Sequence, residues 1–402
     1  MGAEMTDMKI GSEQLSREYA LRILTSKPDE AGHQKSSSLS GLIGFSSDPV
    51  LEAANAQVIR ILIDALGDAD VSVSAGEAQA GATTGAGNDT ISVTAGSVDL
   101  VSSSEGNDSI AIKTSGRYDL LGEWLLSSVD RVEAGAGDDA ISISSHGSVT
   151  RIYGDAGSDD IKISSTVTSK IGAGLHGIDN VDGGDGDDTV TLTSSSNVGR
   201  VFEGGGKDSI VIDARESVSG IYGDDGNDAI VANAGHVSGL YGGSGSDTIT
   251  IKAQSAHGVY GGEGDDTIVV DTEESVSGVY GGDGNDVIRI KTNALGLVQG
   301  GTGDDHLILE SIRGERNTVY FSEGDGHDIV ETNKPLEIKR FKPDGTDVAE
   351  NDATIRRNDD GTVTIEFPGG RDSIKVKFTN GLPASDIVLE QLNGRLTVSQ
   401  RS

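Results

Sequence analysis

Between about residues 81 and 330 the chain alternates short apolar–polar runs with glycine-rich breaks. Thr248-Ile249-Thr250-Ile251 and Thr267-Ile268-Val269-Val270 show the two-residue period and β-branched content of strands with one buried face. A second apolar piece precedes the next glycines, as in 218–222 (VSGIY), 237–241 (VSGLY) and 276–280 (VSGVY). One period therefore reads strand, variable loop, strand, glycine loop. The variable loop, 232–236 or 271–275, carries no Gly-Asp pattern. Two strands per turn, repeated, predict two parallel sheets face to face, each turn burying its apolar side on its neighbours.

The glycine break holds a motif of the form Gly-Gly-x-Gly-x-Asp-x-Ile, clearest at 242–249 (GGSGSDTI), 261–268 (GGEGDDTI) and 281–288 (GGDGNDVI). Its sixth-position aspartate recurs at Asp89, Asp108, Asp139, Asp159, Asp188, Asp208, Asp228, Asp247, Asp266, Asp286, Asp305 and Asp328. Nine of the eleven intervals lie between 19 and 23 residues, which chance does not produce. The long intervals, 31 residues before Asp139 and 29 before Asp188, read as loop excursions of about ten residues, not as lost turns. The expected architecture is an all-β, right-handed parallel β-roll or β-solenoid of about eleven 19–20 residue turns. At roughly 4.8 Å per turn this is a rod about 50 Å long. Tyr153, Phe202, Tyr222, Tyr241, Tyr260 and Tyr280 share one register and should form an aromatic ladder, for packing or, as the sharper alternative, for sugar binding.

The motif suits calcium. This hard cation takes 6–8 oxygens from carboxylates and carbonyls, and one loop cannot fill its shell whereas two stacked loops can. The candidate ligands are the twelve register aspartates together with the loops of Gly242, Gly243 and Gly245, of Gly261, Gly262 and Gly264, and of Gly281, Gly282 and Gly284. Magnesium demands a tighter octahedron. Transition metals would favour His or Cys, yet the seven His are out of register and there is no Cys. A lone copy would be only a turn whose Asp bonds its own backbone. Glycine fills the fourth position in all copies, but the first two positions vary more, with Ser103-Ser104 before Asp108 and Glu203-Gly204 before Asp208, and Lys207 beside Asp208 should weaken that site.

Charge follows the motif. Of the net −34, residues 81–330 carry −27, residues 1–80 carry −6 and residues 331–402 carry −1. Such density self-repels without counter-ions and makes nucleic acid and anionic membrane poor partners. No apolar run reaches about 18 residues, so no transmembrane segment is expected. The first 30 residues lack a basic start followed by an apolar core, so no cleaved signal peptide is expected either.

These repeats resemble the RTX, or haemolysin-type calcium-binding, repeat of proteins exported by bacterial type I secretion. The resemblance implies multiple bound Ca2+, a β-roll that folds on calcium binding outside the cell, an uncleaved C-terminal secretion signal and the type I secretion apparatus as partner. Residues 320–330 (YFSEGDGHDIV) look like the closing repeat. The usual RTX turn has metal on both sides, whereas here one motif alternates with a plain half-turn. That one-sided form is similar to the solenoid of bacterial ice-binding adhesins. Their Thr/Asn array has no counterpart here, since the fifth position mixes Asn, Asp, Ser, Lys207 and His327. The last residues, 396–402 (LTVSQRS), depart from the expected export signal.

Three segments follow: 1–80 as a helical leader or cap with a linker, 81–334 as the calcium-binding solenoid, and 335–402 as a C-terminal β cap with the secretion signal. Helices are expected at 12–25 and 49–66, where Leu51, Val58, Ile61, Leu62 and Leu66 share a face, with a Ser-rich linker at 32–40. The C-terminal segment alternates at 362–367, 373–378 and 395–399. No HExxH, GxSxG or phosphate-binding loop is present, and about 80 residues ahead of the repeats are too few for the enzyme modules of RTX proteins. The reading is a secreted, extracellular, non-enzymatic adhesive or spacer, surface-associated through cell-surface polysaccharide or a host surface. The alternative is a polysaccharide-modifying or membrane-permeabilising RTX protein.

Overall fold

Strands form wherever an apolar residue alternates with a polar one, and their inward residues stack directly above one another from turn to turn. Ile230, Ile249, Ile268 and Ile288 are consecutive partners in parallel ladders, as are Leu240, Val259, Val279 and Val298. All eight are fully buried. The strands after the register aspartates show an alternating exposed–buried pattern, for instance Ser109–Thr114 and Ala140–Ser145. The computed structural model describes residues 18–23, 58–63, 67–76, 79–115, 117–118, 124–125, 127–166, 176–342, 353–379, 387–392 and 395–400.

The protein is an all-β parallel solenoid of about twelve turns, with no helix among the described residues. Between residues 229 and 283 the chain runs as extended backbone through the corner opposite the glycines, giving strands Ala229–Ser244, Thr248–Glu263 and Thr267–Asp283. That corner is lined by small buried hydroxyls. Thr272 donates from Oγ1 to Thr292 Oγ1 at 2.8 Å, and Thr114 from Oγ1 to Ser145 Oγ at 3.1 Å. Hydroxyls can donate and accept in one line, so a column of them satisfies itself inside a corner too tight for longer polar groups.

Both long intervals are excursions. Ser109–Thr114 pairs directly with Ala140–Ser145, and Asp160–Ser165 with Thr189–Ser194, so no turn is skipped. The first excursion contains a small antiparallel pairing of Arg117–Tyr118 with Trp124–Leu125. Of the second, residues 167–175 lie outside the described residues.

One turn more than the register count precedes Asp89. Asp70–Ser74 pairs with Thr90–Ala95, and Ala69 occupies the position that aspartate holds elsewhere. The expected N-terminal helices are corrected where the structure is described. Glu18–Ile23 and Val58–Ile63 are parallel strands, and the second continues onto Gln79–Thr83. Val58, Ile59, Ile61 and Ile63 are β-branched, and six residues fit either period. An open sheet edge then decides, because it offers backbone partners to a strand and none to a helix. The rest of 12–25 and 49–66, and the 32–40 linker, lie outside the described residues.

At the other end the stacking changes sense. Ser373–Phe378 still adds in parallel to His327–Thr332, but Val363–Glu366 adds to it antiparallel. Arg395–Gln400 likewise adds antiparallel to Leu336–Phe341. Phe321 packs on Phe367 at 5.1 Å, and the Arg340 guanidinium lies 4.0 Å above the Phe367 ring. The open edge of the last parallel turn is thereby covered.

The aromatic ladder forms from Phe202 to Tyr280. Rings of Phe202, Tyr222, Tyr241, Tyr260 and Tyr280 stack at 4.8–5.0 Å, within 6° of parallel. Tyr153 shares the register but not the stack, because Asp182 stands between it and Phe202. Each inner ring has both faces against neighbouring rings, as packing of the ladder requires. Among the described residues no helix is long and apolar enough to cross a membrane.

Ile268→Ala should lower stability by about 2–5 kcal/mol, because its side chain is fully enclosed between turns. Lys252→Ala, on the solvent side of the adjacent strand, should stay within about 0.5 kcal/mol. Urea unfolding in calcium buffer checks both.

Candidate metal centre along the glycine edge

The site begins with the backbone. The fourth motif position adopts positive φ in every copy, from 98° at Gly326 to 156° at Gly226. A Cβ there would also meet the carbonyl oxygen of the same glycine one turn earlier, at 1.6 Å for Gly245 and 2.3 Å for Gly284. Angle and close approach both require glycine, which is why this position never varies. The second position has positive φ from Gly135 onward, and where it is not glycine there it is Asp155 (75°) or Asp224 (67°), a residue type that tolerates that region.

Two residues after the invariant glycine comes the register aspartate, and all twelve are buried. Each reaches back one turn. Asp266 Oδ1 accepts the backbone N–H of Asp247 at 2.8 Å, Asp286 Oδ1 that of Asp266 at 2.8 Å, and Asp305 Oδ1 that of Asp286 at 2.8 Å. The ladder passes unbroken through both excursions, with Asp139 accepting from Asp108 and Asp188 from Asp159 at 2.7 Å each. It starts at Ala69, whose N–H is taken by Asp89 at 2.7 Å, and ends at Asp328, which accepts from Asp305 at 3.2 Å.

The second oxygen has no such partner. In Asp89, Asp108, Asp139, Asp159, Asp188, Asp208, Asp228, Asp247, Asp266, Asp286 and Asp305, Oδ2 is buried without a hydrogen bond. Where the first motif position is glycine, as at Gly154, Gly183, Gly223, Gly242, Gly261 and Gly281, it faces that glycine and the carbonyl of the next turn. An ideal Cβ on Gly242 would lie 2.3 Å from Asp247 Oδ2 and 2.5 Å from the Gly261 carbonyl oxygen. On Gly261 the corresponding distances, to Asp266 Oδ2 and the Gly281 carbonyl, are 2.2 and 2.5 Å. Two acceptors converge and no donor separates them. A buried anionic oxygen so placed costs free energy unless it is protonated or meets a cation. Oxygen-only ligands of this kind fit calcium.

The positions of the sequence-derived candidates are uneven. The loops of Gly242, Gly243 and Gly245, Gly261, Gly262 and Gly264, and Gly281, Gly282 and Gly284 stack on one another with Asp247, Asp266 and Asp286 in series. Ser103 stands at the first position before Asp108 and donates from Oγ to the Ala134 carbonyl at 2.6 Å. Lys207 gives its backbone N–H to Asp187 Oδ1 at 2.8 Å.

Two features escaped the sequence. The fifth position forms its own ladder of opposite sense, in which a side chain accepts from the N–H of the following turn. Asn88 receives Asn107, Asn107 receives Asp138, and Asn285 receives Asp304, at 2.8–3.0 Å. The preference for Asn, Asp and Ser there was visible, but it reads as ordinary turn composition. The other is the burial of Glu203, which replaces the first glycine before Asp208 and is completely enclosed.

The scan of known families meets this geometry directly. The model of the RTX calcium-binding nonapeptide repeat matches residues 83–111, 174–196, 221–237, 259–272 and 279–289. The chain carries RTX calcium-binding repeats. RTX nonapeptide repeats bind calcium, and the buried aspartates at each RTX turn are consistent with it. No curated protein and no solved structure matches the chain.

Burial sets the electrostatics. It pushes the carboxyls of Asp159, Asp208, Asp266 and Asp305 up to about 7, and those of Asp89, Asp139, Asp188, Asp247 and Asp286 up to about 6. The backbone N–H received by Oδ1 opposes the rise without cancelling it. Asp328 is pushed to about 9, first by burial and then by Asp305. Carboxyls raised on folding stabilise the fold fully below their unfolded value of about 3.9, and that stabilisation is lost as pH rises through 6–7. The metal-free chain should therefore hold more β structure at pH 5 than at pH 8. Circular-dichroism spectra of stripped protein in metal-free buffer check this, and the opposite order would contradict the burial of the ladder.

Proposed function

We propose that this protein is secreted, folds on binding calcium outside the cell, and serves there as a non-enzymatic adhesive or spacer at a surface or in a matrix. The observation that carries the reading is the run of eleven buried register aspartates whose Oδ2 has no partner. Proteins with RTX repeats are typically secreted, which supports the location. The register aspartates and the carbonyls of the glycine loops are the groups that would hold the ions, most completely at 242–247, 261–266 and 281–286. Calcium supplies positive charge and accepts hard oxygen ligands from two loops at once.

The chain's own residues account for the rest. Without counter-ions the −27 of residues 81–330 resists compaction, and the aspartate row resists burial in its ionised form. An unfolded acidic chain is what passage through a narrow export channel requires. Sites of extracellular type have dissociation constants of about 10⁻⁴–10⁻³ M, so cytosolic calcium leaves them empty while extracellular calcium fills them. Folding and binding then form a single event. A rod with a covered end and a charged edge is suited to setting distance or presenting a surface.

Stripped protein titrated with calcium should gain β signal in far-UV circular dichroism, with magnesium failing to substitute. Asp247→Ala, Asp266→Ala and Asp286→Ala combined should raise the calcium midpoint several-fold, while His257→Ala leaves it in place. Equal midpoints would overturn the ligand assignment. Turnover of an anionic polysaccharide by the folded protein would overturn the non-enzymatic part.

A further inference from the structure

Position one of the motif, which lies against the register aspartate of its own turn, is glycine at Gly154, Gly183, Gly223, Gly242, Gly261, Gly281 and Gly300. At residue 203 it is glutamate, on the strand Asn197–Gly206 in the middle of the solenoid. The other glutamate at this position, Glu323, is exposed at the last motif. Glu203 is instead enclosed, with zero exposure, and neither Oε1 nor Oε2 has a hydrogen-bond partner. Its carboxylate comes together with those of Asp188 and Asp208, one ligand oxygen from each lying within 4.8 Å of the others. Asp188 Oδ2 and Asp208 Oδ2 are also unpartnered.

We propose that Glu203, Asp188 and Asp208 form a three-carboxylate calcium site, distinct in composition from the repeat sites and the tightest in the chain. A buried carboxylate with no donor near it is tolerated only beside a cation or in its neutral form. Oxygens up to about 5 Å apart can share one calcium ion, whose bonds are about 2.3–2.6 Å long. The donor set is oxygen alone, with no nitrogen or sulfur to select a transition metal. The repeat sites around it draw on register aspartates and neutral carbonyls. Here a side chain adds a further charge, and ligand charge count is what tunes calcium affinity between otherwise similar sites. The cluster joins the turns of Asp188 and Asp208, which also share the bond from Asp188 N–H to Asp208 Oδ1 at 2.7 Å. The first ion bound would thus fix a central pair of turns, from which stacking can spread both ways, because each repeat contacts only its neighbours.

This inference rests on the reading that the RTX edge binds calcium, and the test separates the two. Full-length protein, stripped of metal, is titrated with calcium by flow dialysis alongside Glu203→Gly and Glu203→Gln. The first restores the residue of the neighbouring turns and the second keeps the shape without the charge. Wild type should show one site at least about tenfold tighter than the remainder. Both variants should lose that class, keep the weaker sites, and reach the wild-type circular-dichroism spectrum at saturating calcium. A tight class retained in either variant, or absent from a wild type that still fills weaker sites, overturns the role of Glu203 alone. No calcium bound by wild type overturns this inference and the function it rests on together.

Discussion

Everything in this rod depends on a carboxylate that must go inside. The register aspartate is buried because its Oδ1 is the partner of a backbone N–H one turn below, an N–H that the glycine loop leaves without a ladder carbonyl. Removing the side chain would orphan that donor, and keeping it leaves Oδ2 orphaned instead. Unless that oxygen is protonated, the loop supplies nothing to balance it. A demand for a proton or a cation is therefore built into the way the turns are joined, and the acidity of the chain is its visible trace.

Around this constraint the other parts fall into place. Invariant glycines at the fourth position let successive loops approach closely enough for the aspartate to span them. The fifth-position ladder, running in the opposite sense, holds the outer face of the same loops. Fully buried Ile and Val columns supply the area that large aromatic cores provide in globular proteins, and few aromatics are needed because each turn has a neighbour on either side. The tyrosines and Phe202 align along one flank, adding ring-on-ring contact where the turns are most regular.

What could be read from the sequence was whatever repeated. The strand after each aspartate, the aspartate register and the nature of the excursions were legible because a pattern such as Thr-Ile-Thr-Ile, copied at a fixed spacing, averages out local ambiguity. The turn at Asp70–Ser74 was missed because Ala69 had lost the one residue that marked the register, although Gly67 and the alternation of 70–74 remained. Val58–Ile63 reads equally as helix because six residues with apolar spacing satisfy both periods, and its partner lies elsewhere in the chain. Glu203 looked like a weakened glycine. Only the fold shows that the space beside Asp208 holds a second carboxylate.

The aspartate ladder also has a sense. Each turn caps the one before it and is capped by the one after, so two rods could be joined only head to tail. The ladder stops inside the chain on both sides: Ala69 offers no carboxylate to a turn placed before it, and antiparallel strands occupy the far edge. Its direction thus gives the rod two chemically different ends.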